Sequence, residues 1–288
     1  MKNWIAALRL KTLPLALGAI ILGAVLDLDY FDWQIFTLAC ITAVYLQILS
    51  NLANDYGDYQ KGTDKHRKDR QLSTGEIKPR QMLNAICLFA GASFLSGVYL
   101  LYISFGNNWT YWLVFFMLGV SSIIAAITYT VGKRAYGYSG LGDIFVFIFF
   151  GLVGVLGTSY LFYQELNIVN YLPAIAYGAL CMGVLNVNNI RDIDKDVLTN
   201  KLTLAAKLGA SSARKYQLIL LVISFICIVT HHILSKHWTL APLAILVVTI
   251  IHISKLNRAD TAAEYNAQLK LLSIGSLLVS LFFSIQLF

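Results

Sequence analysis

The stretch Ile35-Phe-Thr-Leu-Ala-Cys-Ile-Thr-Ala-Val-Tyr-Leu-Gln47-Ile-Leu-Ser-Asn51-Leu-Ala-Asn54-Asp55-Tyr-Gly-Asp58 decides how the rest of the chain is read. Up to Ala53 it is apolar and uncharged, close to the roughly 20 residues that a helix needs to cross a bilayer core. Its last part changes character. On a helix, Asn51, Asp55 and Asp58 are spaced four and three apart and share one face. Carboxylates aligned in this way repel one another and are costly beside a membrane, so acids in such a place mark a function.

Eight further apolar runs lie outward from this one, at Leu13–Leu26, Met82–Ser104, Tyr111–Val131, Leu141–Tyr163, Tyr171–Ile190, Tyr216–His231, Leu240–Ile253 and Leu271–Phe288. The first and the eighth of the nine are short. Of the 288 residues, 58% are hydrophobic and 13% charged, against about 25% charged in a soluble domain. The connections are too short for a separate soluble domain. Residues 1–288 are therefore expected to form one all-α, polytopic membrane domain of nine transmembrane helices. Cys40, Cys87, Cys181 and Cys227 all lie in apolar runs and are too far apart for a zinc or redox motif. Gly151, Gly154 and Gly157 in the fifth run are expected to let helices pack closely.

The net charge of +7 could point to nucleic acid, but its distribution gives another meaning. With nine spans, 21 of the 22 lysines and arginines fall on one side, and only Lys236 lies on the other. By the positive-inside rule the amino terminus is cytoplasmic and the carboxy terminus outside, in the cell membrane. The positive charge is an orientation signal in a lipid bilayer, and no nucleic-acid partner is expected.

A second acid cluster ends the sixth run: Asn188-Asn189-Ile-Arg191-Asp192-Ile-Asp194-Lys-Asp196. Positions 188, 192 and 196 are four apart and share a face, while Asp194 points away. Both clusters end an apolar helix on the cytoplasmic side, and a cationic loop follows each. Hard oxygen ligands with little His or Cys favour magnesium, which is usually held by a few carboxylates together with substrate phosphate oxygens. Two such clusters facing each other would hold a diphosphate.

At these residues the chain resembles the UbiA superfamily of membrane prenyltransferases, with Asn-Asp-x-x-Asp in one half and Asp-x-x-x-Asp in the other. Within it, the chain is most similar to the 1,4-dihydroxy-2-naphthoate polyprenyltransferases, the MenA group. That likeness rests on Trp4 to Pro14, Gln47 to Asp64, Tyr138 to Gly151 (with Gly140-Leu141-Gly142-Asp143) and Asn188 to Ala205. Two departures stand out: Gly62 occupies the usual place of a third acid, which here falls at Asp64, and Leu10 stands where Pro is usual. The segment from Lys65 to Gly75 resembles the loop that family members close over the diphosphate.

The resemblance implies a nine-helix bundle around a central cavity, with its active site facing the cytoplasm. The enzyme is expected to use Mg2+ to ionise a polyprenyl diphosphate and to join the prenyl group to 1,4-dihydroxy-2-naphthoate with decarboxylation, in menaquinone biosynthesis. Asp55, Asp58, Asp192 and Asp196 are the expected metal ligands, with Asp64 a further candidate. Asn51 and Asn188 add neutral oxygens or orient the ligands, and Asn51, Asn54, Asn188, Arg70, Lys133, Arg191 and Lys201 are candidates for the diphosphate. Tyr129, beside Lys133 at the end of the fourth run, is a candidate to face an allylic cation.

Other readings are an enzyme of the same fold with another aromatic acceptor, such as 4-hydroxybenzoate, and a cation-coupled transporter. Transporter sites lie near the midplane on interrupted helices, whereas both acid clusters here lie at one boundary. His231, His232, His237 and His252 offer no axial pair at a common depth for haem.

Overall fold

The computed structural model describes residues 2–26, 30–64, 67 and 70–285. A segment in hydrocarbon must satisfy its own backbone polar groups, and the described residues form helices and no β-strand element. In chain order these are α1 (Lys2–Leu8), a 3-10 turn (Leu10–Thr12), α2 (Leu13–Ala24), α3 (Trp33–Lys61), α4 (Pro79–Phe105), α5 (Trp109–Thr128) and α6 (Gly142–Val146). A π-helical stretch, Phe147–Gly157, carries α6 into α7 (Thr158–Tyr163). Then come α8 (Tyr171–Leu198), α9 (Leu204–Ser235), α10 (Ala241–Leu256) and α11 (Ala262–Phe283).

Among the described residues, eight helices are long and apolar enough to cross a membrane, and Ala241–Leu256 is a ninth, shorter one. The protein is a multi-pass membrane protein. The first span is longer than hydropathy alone implied. It runs from Asn3 to Ala24, broken at Arg9, whose backbone is left-handed (φ 49°, ψ 53°). The fifth apolar run is an unbroken helical rod, and its π-helical middle has no signature in hydropathy.

Local chemistry sets the helix ends that matter most. Asp32 starts α3, its Oδ1 accepting from the N–H groups of Gln34 (2.7 Å) and Ile35 (3.1 Å). Gly62, at φ 73°, ends it in the left-handed conformation that glycine adopts without steric cost. Asp58 is thereby kept in the last turn. Thr203 caps α9 by accepting from the N–H of Ala206 at 3.2 Å.

The central helix is α8, which packs against α9, α11, α6 and the π-helical stretch. Leu22, Val155, Tyr177, Leu221, Ile228 and Leu272 form the core that joins them to α2. A second cluster, with Leu49, Leu52, Met82 and Ile86, joins α3 to α4 and to Leu72 and Ile77 of their connection. At the opposite end Ile20, Ala39, Leu101, Phe105 and Leu161 close the bundle. By contrast, Ala125 is the one buried residue described in α5.

The glycines of the fifth span divide. A Cβ on Gly151 would lie 2.7 Å from the Ala174 carbonyl and 2.9 Å from Gly178 Cα, so this residue does allow close packing on α8. Gly154 approaches Ala19 of α2, where a Cβ would stand 3.0 Å from the alanine methyl. Gly157 departs from the packing expectation: a Cβ there would meet nothing nearer than 3.8 Å. It lines a cavity instead.

Candidate active site

The bundle surrounds a partly open cavity of about 730 Å³. Its lining is apolar over most of α2, α4, α5 and the fifth span, with Ala16, Leu101, Phe116, Phe149 and Leu161 among the residues exposed to it. At the end where α3 and α8 finish, the lining becomes charged: Asp58, Asp64, Arg67, Arg70, Arg191, Asp192, Lys195, Asp196 and Lys201. The two acid clusters, more than 130 residues apart in the chain, therefore meet at one end of a single cavity.

Two cations stitch the clusters together. Lys201 Nζ lies 3.2 and 3.3 Å from the two carboxylate oxygens of Asp58. Its backbone N–H donates to the Asp196 carbonyl at 2.8 Å, so one residue spans both helix ends. Arg67 NH1 donates to Asp192 Oδ2 at 3.1 Å, while its Nε lies 3.8 Å from Asp64 Oδ1.

On α3, Asp55 is 3% exposed and receives both Arg9 and Arg70 on Oδ1. It stands behind the cavity wall and is not among the lining residues. Asn51 donates its amide to the Leu8 carbonyl and to Thr12 Oγ1, both at 3.0 Å, which ties the first span to the acid helix. Asn54 lines the cavity with a buried Oδ1 that has no hydrogen-bond donor among the described residues. Asp58 accepts from the Tyr138 hydroxyl at 2.7 Å. That proton is thus committed, and the Thr63 hydroxyl donates to the phenol oxygen at 2.6 Å.

On α8, Arg191 donates to Asp192 through Nε (3.0 Å) and NH2 (2.5 Å), and to Asn188 Oδ1 through NH2 (2.8 Å). Its NH1 reaches Asn266 Oδ1 of α11 at 2.6 Å. Asp196 Oδ2 accepts from Thr203 at 3.4 Å. Asp194 is exposed, as its spacing predicts.

Electrostatics follow from this crowding. Asp64, just beyond α3, is pushed up to about 7, first by burial and then by Asp58, against the pull of Arg67. Burial and the neighbouring Asp58 also hold the Tyr138 phenol well above its usual range, so it remains a donor. Tyr129 lines the cavity at the end of α5 and is likewise held protonated by burial.

One predicted residue does not join the site. Lys133 is exposed and does not line the cavity. Gly132, at φ 99°, sits in the turn after α5 and leaves Lys133 and Arg134 on its outer side. Asp143 of the Gly-Leu-Gly-Asp run also stays out of the cavity, accepting from Tyr216 at 3.2 Å. Lys65, His66, Lys68 and Asp69 lie outside the described residues.

Residues that sequence reasoning did not single out as site members include Arg9, Arg67, Tyr138, Lys195 and Asn266. Arg9 was legible only as a cytoplasmic anchor. Tyr138 carries no local signal beyond its place before Gly140-Leu141-Gly142.

The sequence matches the UbiA prenyltransferase family over residues 13–277. The chain belongs to the UbiA prenyltransferase family. Among its UbiA relatives is 1,4-dihydroxy-2-naphthoate octaprenyltransferase of Haemophilus influenzae, 39% identical over 100% of this chain and 96% of that protein. The Escherichia coli protein of the same name is 45% identical over 81% of this chain and 77% of its own length. The UbiA fold is shared with two solved archaeal structures. A UbiA homolog from Aeropyrum pernix K1 has a TM-score of 0.71 at 18% identity, covering 94% of this chain and 98% of that one. A UbiA homolog from Archaeoglobus fulgidus, bound to GPP and Mg2+, has a TM-score of 0.71 at 17% identity, covering 98% of each.

Proposed function

We propose that this protein, as one membrane domain over residues 1–288, transfers a polyprenyl group from a polyprenyl diphosphate to 1,4-dihydroxy-2-naphthoate with loss of carbon dioxide. The observation that carries the reading is the set of acids and cations at one end of an otherwise apolar cavity of about 730 Å³. A substrate with a charged head and a long apolar tail suits both parts at once. The acceptor comes from relatives 39% and 45% identical that carry that substrate in their name.

Among the described residues, no three His, Cys, Asp or Glu side chains form a metal cage by themselves. The donor set nevertheless fits magnesium, a hard cation that takes a few carboxylates and completes its shell from water and substrate phosphate. The buried Asn54 Oδ1, which no donor among the described residues reaches, is an oxygen acceptor that a cation would satisfy. Asp58, Asp192 and Asp196 are its proposed holders from the cavity lining, with Asp64 beside them, Asp55 joining on release from Arg9 and Arg70, and Asn51 and Asn188 as neutral oxygens. Magnesium, when bound, supplies positive charge next to the departing diphosphate.

The chain's own residues do the rest. The allylic carbon–oxygen bond breaks and its electron pair leaves with the diphosphate, whose oxygens are met by Arg67, Arg70, Arg191 and Lys201. Arg offers a forked contact and Lys a point charge. The apolar lining excludes water from the allylic cation, and the Tyr129 ring offers it a π-face. The naphthoate carbon that bears the carboxylate forms the new carbon–carbon bond. Carbon dioxide then leaves, and the electrons of its bond restore the aromatic ring, giving a demethylmenaquinol with no net proton required. The positive-inside bias supports a cytoplasmic amino terminus, an outer carboxy terminus and a charged cavity end on the cytoplasmic side.

The test is to supply the purified protein with magnesium, a polyprenyl diphosphate and dihydroxynaphthoate, then in parallel 4-hydroxybenzoate. Release of diphosphate and carbon dioxide with the naphthoate, lost with EDTA and restored by magnesium, is the expected result. Turnover with 4-hydroxybenzoate alone would move the acceptor assignment, and no diphosphate release with either would sink the reading.

A further inference from the structure

We propose that Gly97, Gly119 and Gly157 set the length of prenyl tail that the cavity accepts, each by leaving open a volume that a side chain would fill. The inference rests on the polyprenyl diphosphate reading above. It starts from a division among the helical glycines. At Gly18, Gly23, Gly151 and Gly178 an added Cβ would come within 2.7 Å or less of a neighbouring atom, so close packing accounts for them. Of the four glycines that line the cavity, Gly154 packs on Ala19, and the other three have no such account. A Cβ on Gly97 would meet only Thr42 at 3.8 Å, one on Gly157 only Val153 and Phe115 at 3.8 and 3.9 Å, and one on Gly119 nothing within 4 Å. All three line the cavity, from three different spans. Glycine inside a helix is destabilising relative to alanine, and here no packing contact offsets that.

The three lie at different depths. With a rise of about 1.5 Å per residue, Gly119 is about 14 Å along α5 from its charged-end terminus, Gly157 about 22 Å along the fifth span and Gly97 about 27 Å along α4. A tail anchored by its diphosphate among Asp58, Asp192 and Lys201 passes Gly119 first and Gly97 last. Restoring a side chain therefore obstructs tails in order of depth: at Gly119 all but the shortest, at Gly97 only the longest. Gly91, also on α4, is an internal control. Its Cβ too would meet nothing within 4 Å and, like Gly119, it is exposed, but it does not line the cavity.

The experiment compares the purified wild-type protein with Gly119→Leu, Gly157→Leu, Gly97→Leu and Gly91→Leu. Each receives geranyl, farnesyl, geranylgeranyl and octaprenyl diphosphate with dihydroxynaphthoate and magnesium. The readout is kcat/KM for each tail relative to geranyl. The octaprenyl-to-geranyl ratio should fall about ten-fold or more in Gly119→Leu, and the tail length at which loss begins should grow from Gly119 to Gly157 to Gly97. Alanine and valine at the same positions give a graded series that does not depend on any one leucine variant folding. Wild-type ratios in all three sets, or an equal shift in Gly91→Leu, would overturn the glycine assignment while leaving the donor reading intact. If the wild-type protein turns over none of the four diphosphates, the donor reading falls and this inference with it.

Discussion

At the residue scale, the site is a set of acids, each already engaged by a cation or a hydroxyl. Asp192 receives Arg191 and Arg67, and Asp58 receives Lys201 and Tyr138. If these acids hold the metal, Asp192→Ala should lower kcat at least 100-fold, the scale seen when one preorganised electrostatic group is lost. Lys133→Ala, on the exposed turn, should stay within two-fold. The comparison is read by diphosphate release on protein of equal monodispersity. Tyr138→Phe removes a hydrogen bond to a charged group, worth about 1.5 kcal/mol, so KM for the diphosphate should rise about ten-fold with a smaller change in kcat. Direct titration of magnesium and diphosphate binding checks that this is a binding effect. Asp55, Asp58, Asp192 and Asp196 were legible because helical spacing converts sequence into a face. Tyr138 and Asn266 were not, because each reaches the site from a part of the chain whose position only the tertiary fold determines.

At the scale of elements, helix ends do most of the positioning. Gly62 ends α3 just beyond Asp58, and Thr203 starts α9 while donating to Asp196. Close packing then fixes α8 against the fifth span. Gly151→Val would press against the Ala174 carbonyl and Gly178, and overpacking of this kind costs about 1–3 kcal/mol. Its unfolding temperature in detergent should therefore fall below that of Gly119→Ala, which meets open space. The apolar runs located the eight long spans and the shorter ninth helix seen among the described residues, because hydrocarbon length is a strong constraint. They could not reveal the π-helical stretch or the break at Arg9. Both change backbone hydrogen bonding while leaving hydropathy untouched.

At the scale of the molecule, charge distribution is what the proposed orientation rests on. The charged cavity end coincides with the cationic connections, while Lys236 is exposed at the far end of α9. In intact cells a membrane-impermeant maleimide should label Lys236→Cys but not Arg134→Cys above the unsubstituted protein, and permeabilisation should expose the second. The reverse pattern would invert the orientation. What the sequence left open was whether two acid clusters in different halves would meet. Lys201 and Arg67 answer that at side-chain resolution, since each touches both clusters.

The thinness of α5 has a further consequence. Leu118, Ile123 and Ala126 line the cavity, while Leu113, Val114, Met117 and Ile124 are exposed on the same helix. One helix, packed on α3 and α4 but exposed on its outer face, thus separates the reaction chamber from the surrounding acyl chains. The bilayer acts in part as the enzyme's missing wall, and its lateral pressure becomes a variable of the chemistry. Turnover should accordingly vary with lipid acyl-chain length and unsaturation at constant substrate, in a way that a detergent micelle would hide.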